Sequence, residues 1–441
     1  MDRPKWLAAR VATALAARFA LPFALLFAAP LPAAPAPLQG AKPVPKLAPA
    51  KQKELVTEWF AADETRRRAI EQLLAPIDVL TAADVQKWAP TLLELARKGK
   101  KLAASGTNYW IDEEEKVGKY IVNGDRKAKQ LIVCLHGGGA GSGEAESSFG
   151  SFGATLGALK GTVAIYPEVL RKTEKGWTET DTEAFVLDLI AAAKRTHPID
   201  PNRIYLTGHS MGGFGTWTLG SRHADLFGGL AAFAGAPTPY FSKVDRTSVV
   251  GIEEGVLPCL FNLPISIYQS GDDRQVPAPP NDWAAKELDR LFESVGGAGW
   301  KHRYERVEGR GHGFPEAGPG PAIDWAMSHV REPCPKKVIW QPSRPAKRDF
   351  YWLHCDELPF GATLTAEVKA RDRIEISGAH GAKGLAVHLD ARLVDLDALV
   401  VVTVDGDAKF AAVPERRLTT LLRNALRLDA EHLFAVRAEL Q

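Results

Sequence analysis

The sequence predicts an α/β fold: a doubly wound, mostly parallel sheet, preceded by a short helical segment and followed by a smaller β-rich region. Three observations carry this. Residues 131–135 form a fully apolar run ending in His136-Gly137-Gly138-Gly139, the pattern of a strand covered on both faces. From there to residue 331, strand-like and helix-like segments alternate with short joints, the order that builds a parallel sheet. Within that stretch, residues 204–206 stop at Gly208-His209-Ser210-Met211-Gly212 and pass into small residues with helical patterning. That reads as strand, sharp turn and helix, with one serine at the apex. A turn so tight strains the serine backbone, and glycines two residues to either side let the neighbouring chain approach without Cβ clashes.

Bulk properties bound the rest. At 441 residues the chain has room for two or three domains, and 45% apolar with 24% charged residues is ordinary for a globular protein. A net charge of +2 with interspersed signs points to neither a nucleic acid nor a membrane surface as partner. The four cysteines show no C-x-x-C spacing and there is no H-E-x-x-H, so no metal site and no cofactor is expected.

Taken in order, residues 1–36 read as a signal peptide for export. Arg3, Lys5, Arg10 and Arg18 precede an apolar stretch that Pro22 interrupts and that is too short to span a bilayer. Small residues at 33, 34 and 36 follow it. The mature chain is therefore expected outside the cytoplasm, periplasmic or secreted, without stable membrane insertion. Residues 37–106 hold a Pro/Ala linker and two amphipathic helices, over 51–76 and 82–101. The α/β domain spans 107–332. Its expected strands are 108–111, 117–122 (joined through the acidic turn 112–115), 131–135, 162–166, 203–206, 229–233, 265–268 and 302–307. Its helices are expected over 181–194, from the serine turn to 222, and over 283–295 and 323–331. In such sheets the site lies at the carboxyl ends of the strands. Residues 336–441 alternate with period two between turn signals and form a β-rich domain to which no activity is assigned, with one helix near 417–427. Three adjacent aromatics, Phe350, Tyr351 and Trp352, cannot all face one side of a strand, so core packing outweighs a carbohydrate platform.

The chemistry follows from strand ends. A serine hydroxyl needs an adjacent base, itself oriented by a third group. After residues 265–268 comes Gly271-Asp272-Asp273-Arg274-Gln275-Val276-Pro277, and after 302–307 comes Gly309-Arg310-Gly311-His312-Gly313-Phe314. Both loops fall on the same sheet edge as the serine turn. His209 reads as a structural or substrate-facing neighbour, and His136 as an orienter of the glycine loop. The amides of that loop, Gly138 and Gly139, together with that of Met211, are the expected oxyanion donors. A phosphate loop over residues 138–143 is rejected, because Glu144 stands where lysine is required.

Residues 200–213, with the acid and base loops, resemble exported α/β-hydrolase esterases. These include polyhydroxybutyrate-depolymerase-like, feruloyl-esterase-like and dienelactone-hydrolase-like enzymes, and prolyl-oligopeptidase-type catalytic domains are also similar. The likeness spans roughly residues 107–331. It implies Ser210 as nucleophile, His312 as base and an aspartate orienting it. Counting back from Val276-Pro277 favours Asp273, while the glycine spacing keeps Asp272 open. The resulting expectation is a serine hydrolase acting on a small-molecule or polymer-linked carboxylic ester through an acyl-enzyme. A prolyl-oligopeptidase-type peptidase and a catalytically silent polymer-binding protein are the alternatives. Residues 236–263, inserted between two core strands, are expected to border the acyl pocket. Export permits disulfides, so a Cys334–Cys355 bridge is expected at the interdomain joint, with Cys134 a free buried thiol.

Overall fold

The computed structural model describes residues 47–111, 117–343 and 347–440. The expected signal segment and the acidic turn at 112–115 lie outside the described residues.

Three helices open the described chain: α1 (Pro49–Ala61), α2 (Glu64–Leu74) and α3 (Ala82–Ala96). The single helix expected over 51–76 breaks at Ala62, because Asp63 accepts the Arg66 N–H (2.8 Å) and caps α2 as a fresh start.

The central sheet is built from β1 (Gly106–Ile111), β2 (Val117–Gly124), β3 (Gln130–Leu135), β4 (Thr162–Pro167), β5 (Ile204–His209), β6 (Gly229–Phe233), β7 (Ile265–Ser270) and β8 (His302–Val307). Their order is β1-β2-β4-β3-β5-β6-β7-β8, with only β2 antiparallel to its neighbours. This is the α/β-hydrolase arrangement. The chain reverses direction across β3, so the crevice opens where β3 and β5 end.

Five helices flank the sheet: α4 (Ala145–Gly157), α5 (Thr180–Thr196), α6 (Met211–Arg222), α7 (Pro279–Ser294) and α8 (Gly320–Met327). Strand alternation divides the core between the two faces. Leu131, Val133 and Leu135 of β3 pack with Phe185, Leu189 and Trp217 of α5 and α6. Ile132 and Cys134 turn the other way, into a cluster holding Phe152 and Leu156 of α4 and Ile323 of α8.

The C-terminal region places β9 (Lys337–Trp340), β12 (Leu364–Ala370), β13 (Arg373–Ser377), β15 (Val400–Val404) and β16 (Asp407–Ala412) in one sheet. A second sheet holds β10 (Asp349–Phe350), β11 (Leu353–His354), β14 (Ala386–Leu389) and β17 (Val436–Glu439). Their inner side chains, such as Val338, Leu364, Ile374, Leu353 and Val387, belong to the same buried cluster as the α5/α6 face of the central sheet. Phe350, Tyr351 and Trp352 are all buried because the chain turns there, with Tyr351 at φ 53°. Tyr351 donates its hydroxyl to Ala224 O (2.9 Å) and Trp352 its indole N–H to Pro335 O (2.9 Å).

The helix α9 (Leu418–Ala425) buries Leu418, Leu421 and Leu422 against Trp59, Ile70 and Leu92 of the N-terminal helices. Residues 46–441 accordingly form one compact unit.

The Cys334–Cys355 bridge does not form. All four cysteines are free and buried: Cys334 is a core residue, and the Cys355 thiol donates to Glu357 O (3.2 Å). Apolar packing, not oxidation, fastens this joint, together with one buried ion pair. Arg331, only 3% exposed, binds Asn202 through two N–H groups (3.0 and 2.7 Å) and Asp429 at 2.8 Å. Burial alone would raise the Asp429 pKa, but Arg331 and the neighbouring His432 and Lys194 hold it well below the usual carboxylate range. Removing one partner of such a pair strands the other charge. Asp429→Asn is therefore expected to destabilise the fold by about 3 kcal/mol in urea unfolding; a loss below about 1 kcal/mol would mean that Asn202 and the Asp225 carbonyl suffice to hold Arg331.

Candidate active site

Ser210 sits between β5 and α6 with φ 59° and ψ −121°. No β-carbon fits beside it: one added at Gly208 would lie 2.3 Å from Gly212 O, and one at Gly212 would lie 2.1 Å from Leu135 O. The turn is fixed by Ser210 N–H donating to Phe233 O (2.9 Å) and by Ser210 O accepting from Phe214 N–H (3.1 Å).

The two partners expected of it, His312 and Asp273, arrive from two other strand ends. His312 Nε2 lies 2.8 Å from Ser210 Oγ, and its Nδ1 lies 2.7 Å from Asp273 Oδ2. With Asp273 ionised, Nδ1 carries the proton and Nε2 is free to accept from the serine hydroxyl. The Asp273 side chain is fully shielded. Burial pushes its pKa up, but the hydrogen bond to His312 and the N–H groups of Val276 (3.0 Å) and Gln275 (2.8 Å) outweigh this and bring it below the ordinary value. Asp272, left open by the sequence, faces elsewhere. Its Oδ1 accepts the amides of Gly309 (3.0 Å) and Gly311 (3.1 Å), so it braces the loop that carries His312.

The flanking histidines have other employment. His136 accepts the Val169 N–H at Nε2 (3.1 Å), which leaves Nδ1–H to donate to Gly137 O (2.8 Å). Both nitrogens are thus engaged, one on the glycine loop and one on the segment that follows β4. His209 lies beside the base, its Nε2 donating to His312 O (3.1 Å) and its ring packed on Phe314. Burial, followed by the proximity of His312, lowers its pKa to about 4, so it is neutral at pH 7.

Of the three expected oxyanion amides, that of Gly139 is already engaged, donating to Ser142 Oγ (3.1 Å). The adjoining cavity, of about 500 Å³, is lined by residues of the glycine loop, by Gln275 and by Ser147, Ser148, Ser151 and Phe152 of α4. Residues 236–263 do not border it. Their apolar side chains, Val256, Leu257, Leu260 and Phe261, are drawn into the core, where Trp300 donates its indole N–H to Leu257 O (2.8 Å). The wall from α4 was missed because that helix escaped notice; once it is recognised, the i, i+4 pairs Ser147/Ser151 and Ser148/Phe152 share one face.

Residues 167–348 match a family model described as a putative esterase. Poly(3-hydroxyalkanoate) depolymerase C of Paucimonas lemoignei is 29% identical over 130 residues, which cover 27% of this chain and 31% of that protein. The chain thus spans about a third of the length of this curated relative. Among solved structures, a thermostable esterase is 25% identical, covering 51% of this chain and 63% of its own, at a TM-score of 0.35. An acetyl xylan esterase from Aspergillus awamori is 14% identical, covering 51% of this chain and 99% of its own, at a TM-score of 0.37.

The depressed pKa of His209 has a consequence for stability. An unfolded histidine takes up its proton near pH 6.5, whereas the folded ring resists protonation down to about pH 4. Between those values the unfolded chain binds more protons, so stability is fully present above pH 6.5 and is lost as pH falls toward 4. Buried His432, lowered to about 3, extends the loss further. Urea midpoints measured at pH 7, 5.5 and 4.5 should fall steadily, and His209→Asn should flatten the fall. An equal slope in the variant would show that His209 titrates normally.

Proposed function

We propose that the chain is a serine carboxylesterase in which Ser210 is the nucleophile, His312 the general base and Asp273 the residue that orients it. The observation carrying this reading is the pair of hydrogen bonds, 2.8 and 2.7 Å, that joins three loops distant in sequence beside an open cavity. His312 takes the hydroxyl proton as Ser210 Oγ adds to the ester carbonyl. The imidazolium is stabilised by the Asp273 carboxylate, and it returns the proton to the departing alkoxide as the carbon–oxygen bond breaks. Water then enters and gives a proton to His312 as its oxygen adds to the acyl carbon, and His312 passes that proton to Ser210 Oγ as the acyl–serine bond breaks and the acid leaves. The amides of Gly138 and Met211 are suited to receive the developing oxyanion, each donor of this kind being worth about 3 kcal/mol. The basic and then apolar leader over residues 1–36 supports export of this activity.

The lining favours hydrophilic esters with a short acyl group. Serine hydroxyls, glycine backbone and Gln275 make up most of the wall, with Phe152 the one aromatic ring apart from the histidines. A long alkyl chain would have little apolar surface to bury there.

Ser210→Ala should reduce turnover of p-nitrophenyl acetate about 10⁴-fold or more and abolish labelling by a fluorophosphonate. Wild type should prefer the acetate to the palmitate ester. Wild-type protein that neither turns over acetate nor takes the label would rule out a serine esterase, and faster cleavage of the palmitate would contradict the polar lining.

A further inference from the structure

A glutamine and an asparagine lie wholly buried beneath the three loops: Gln269, the penultimate residue of β7, and Asn281, in the first turn of α7. Burying an amide costs free energy unless its groups are bonded, so what these two bind is informative. The Gln269 side-chain N–H groups donate to Ser270 O (3.0 Å) and Val276 O (2.9 Å), the two ends of the loop that carries Asp273. The same nitrogen lies 3.5 Å from Asp273 Oδ2, the oxygen that faces His312. Gln269 Oε1 in turn accepts from Asn281 Nδ2 (2.8 Å), which fixes the orientation of the glutamine amide. Reversed, the amide would set its oxygen against two carbonyls.

The second Asn281 N–H donates to Gly235 O (3.2 Å), which also accepts the indole N–H of Trp217 on α6 (3.2 Å). Gly235 lies directly under the nucleophile: a β-carbon there would fall 2.4 Å from Ser210 O. One run of amide hydrogen bonds therefore extends from the acid loop to the backbone beneath the serine. Asn281 Oδ1 meanwhile finds no donor among the described residues.

We propose that Gln269 and Asn281 are a positioning pair that clasps the acid loop and holds the Asp273 carboxylate in register with His312. The inference rests on the reading of Ser210, His312 and Asp273 given above. Neither amide touches substrate; the pair acts through Asp273. A misplacement of this kind lowers the rate of the chemical step without changing how substrate binds.

The test uses the full chain with p-nitrophenyl acetate. Gln269→Met keeps the volume and removes the bonds of Gln269 to the acid loop and to Asn281. It should lower kcat about ten- to a hundredfold, with KM within about twofold of wild type. The charged or titratable groups at His312 are Asp273 and neutral His209, with Asp272 bracing its loop. A carboxylate that samples other positions stabilises the imidazolium less, so the acid limb of the kcat/KM profile should move down by about half a pH unit. A purely structural role would lower the unfolding midpoint and leave kcat per folded molecule and the acid limb unchanged; that result overturns the inference. Asn281→Ala, which leaves Gln269 and the acid loop intact, should lower kcat about threefold or more. It decides the matter if Gln269→Met does not fold, and a wild-type kcat in it would then refute the clasp. Wild type inactive on the ester would overturn both the site reading and this inference, whereas an active wild type with unaltered variants overturns the inference alone.

Discussion

Everything at the site depends on the backbone of Ser210 being held at positive φ where strand gives way to helix. A non-glycine residue in that region costs of order 1–3 kcal/mol and persists only when its surroundings over-determine it. Here they do. The carbonyls of Gly212 and Leu135 crowd the turn so closely that only hydrogen fits at positions 208 and 212. The Ser210 amide and carbonyl are both committed, to Phe233 and Phe214. Beyond the turn, Trp217 and Leu219 of α6 are buried against the sheet. Relaxing the serine would mean lifting that helix away. The strain is thus offset by packing several residues distant, and its product is an Oγ aimed at the imidazole instead of into the strand.

Much of the architecture was legible because the strands declare themselves. Runs such as residues 131–135 and 229–233 are apolar throughout, as covered parallel strands must be, and the joints between them carry glycine. The three loops were legible because each follows directly on a strand-like segment. What escaped was decided by tertiary packing. The sequence of α4, Ala145–Gly157, is rich in serine and glycine, and its helix is imposed by Phe152 and Leu156 docking on the sheet. That one miss hid a wall of the cavity. Residues 236–263 misled in the opposite sense, since an apolar insertion between core strands is equally suited to a pocket or to a core, and it went to the core. The cysteines misled through compartment: export permits a disulfide but does not bring two side chains together.

The two adjacent aspartates show why sequence could narrow the acid to two candidates and not one. The chain turns at Gly271-Asp272, closed by Asp273 N–H donating to Ser270 O (3.3 Å), and the two carboxylates leave that turn in different directions. Asp273 turns inward, where burial and backbone amides leave it shielded and ionised against His312. Asp272 turns outward and gathers the amides of Gly309 and Gly311. Both carboxylates bear on the same imidazole, Asp273 directly at its ring and Asp272 through the amides of Gly309 and Gly311 in the loop that carries it.

That division of labour answers a mechanical problem. His312 is carried beyond β8, the edge strand of the sheet, which has a neighbour on one side only and carries Arg303, Glu305 and Arg306, charges that blunt an edge against further pairing. An edge strand is the least constrained place from which to hang a base that must stay within hydrogen-bond reach of a serine. The loop is therefore tied inward at successive residues: Gly309 and Gly311 to Asp272, Arg310 N–H to Ser270 Oγ (3.2 Å), and His312 O to His209 (3.1 Å). Each tether comes from β7, the loop that follows it or β5, the strands whose own loops carry Asp273 and Ser210. The three catalytic candidates consequently share one rigid support, and a displacement of any of the loops carries the others with it.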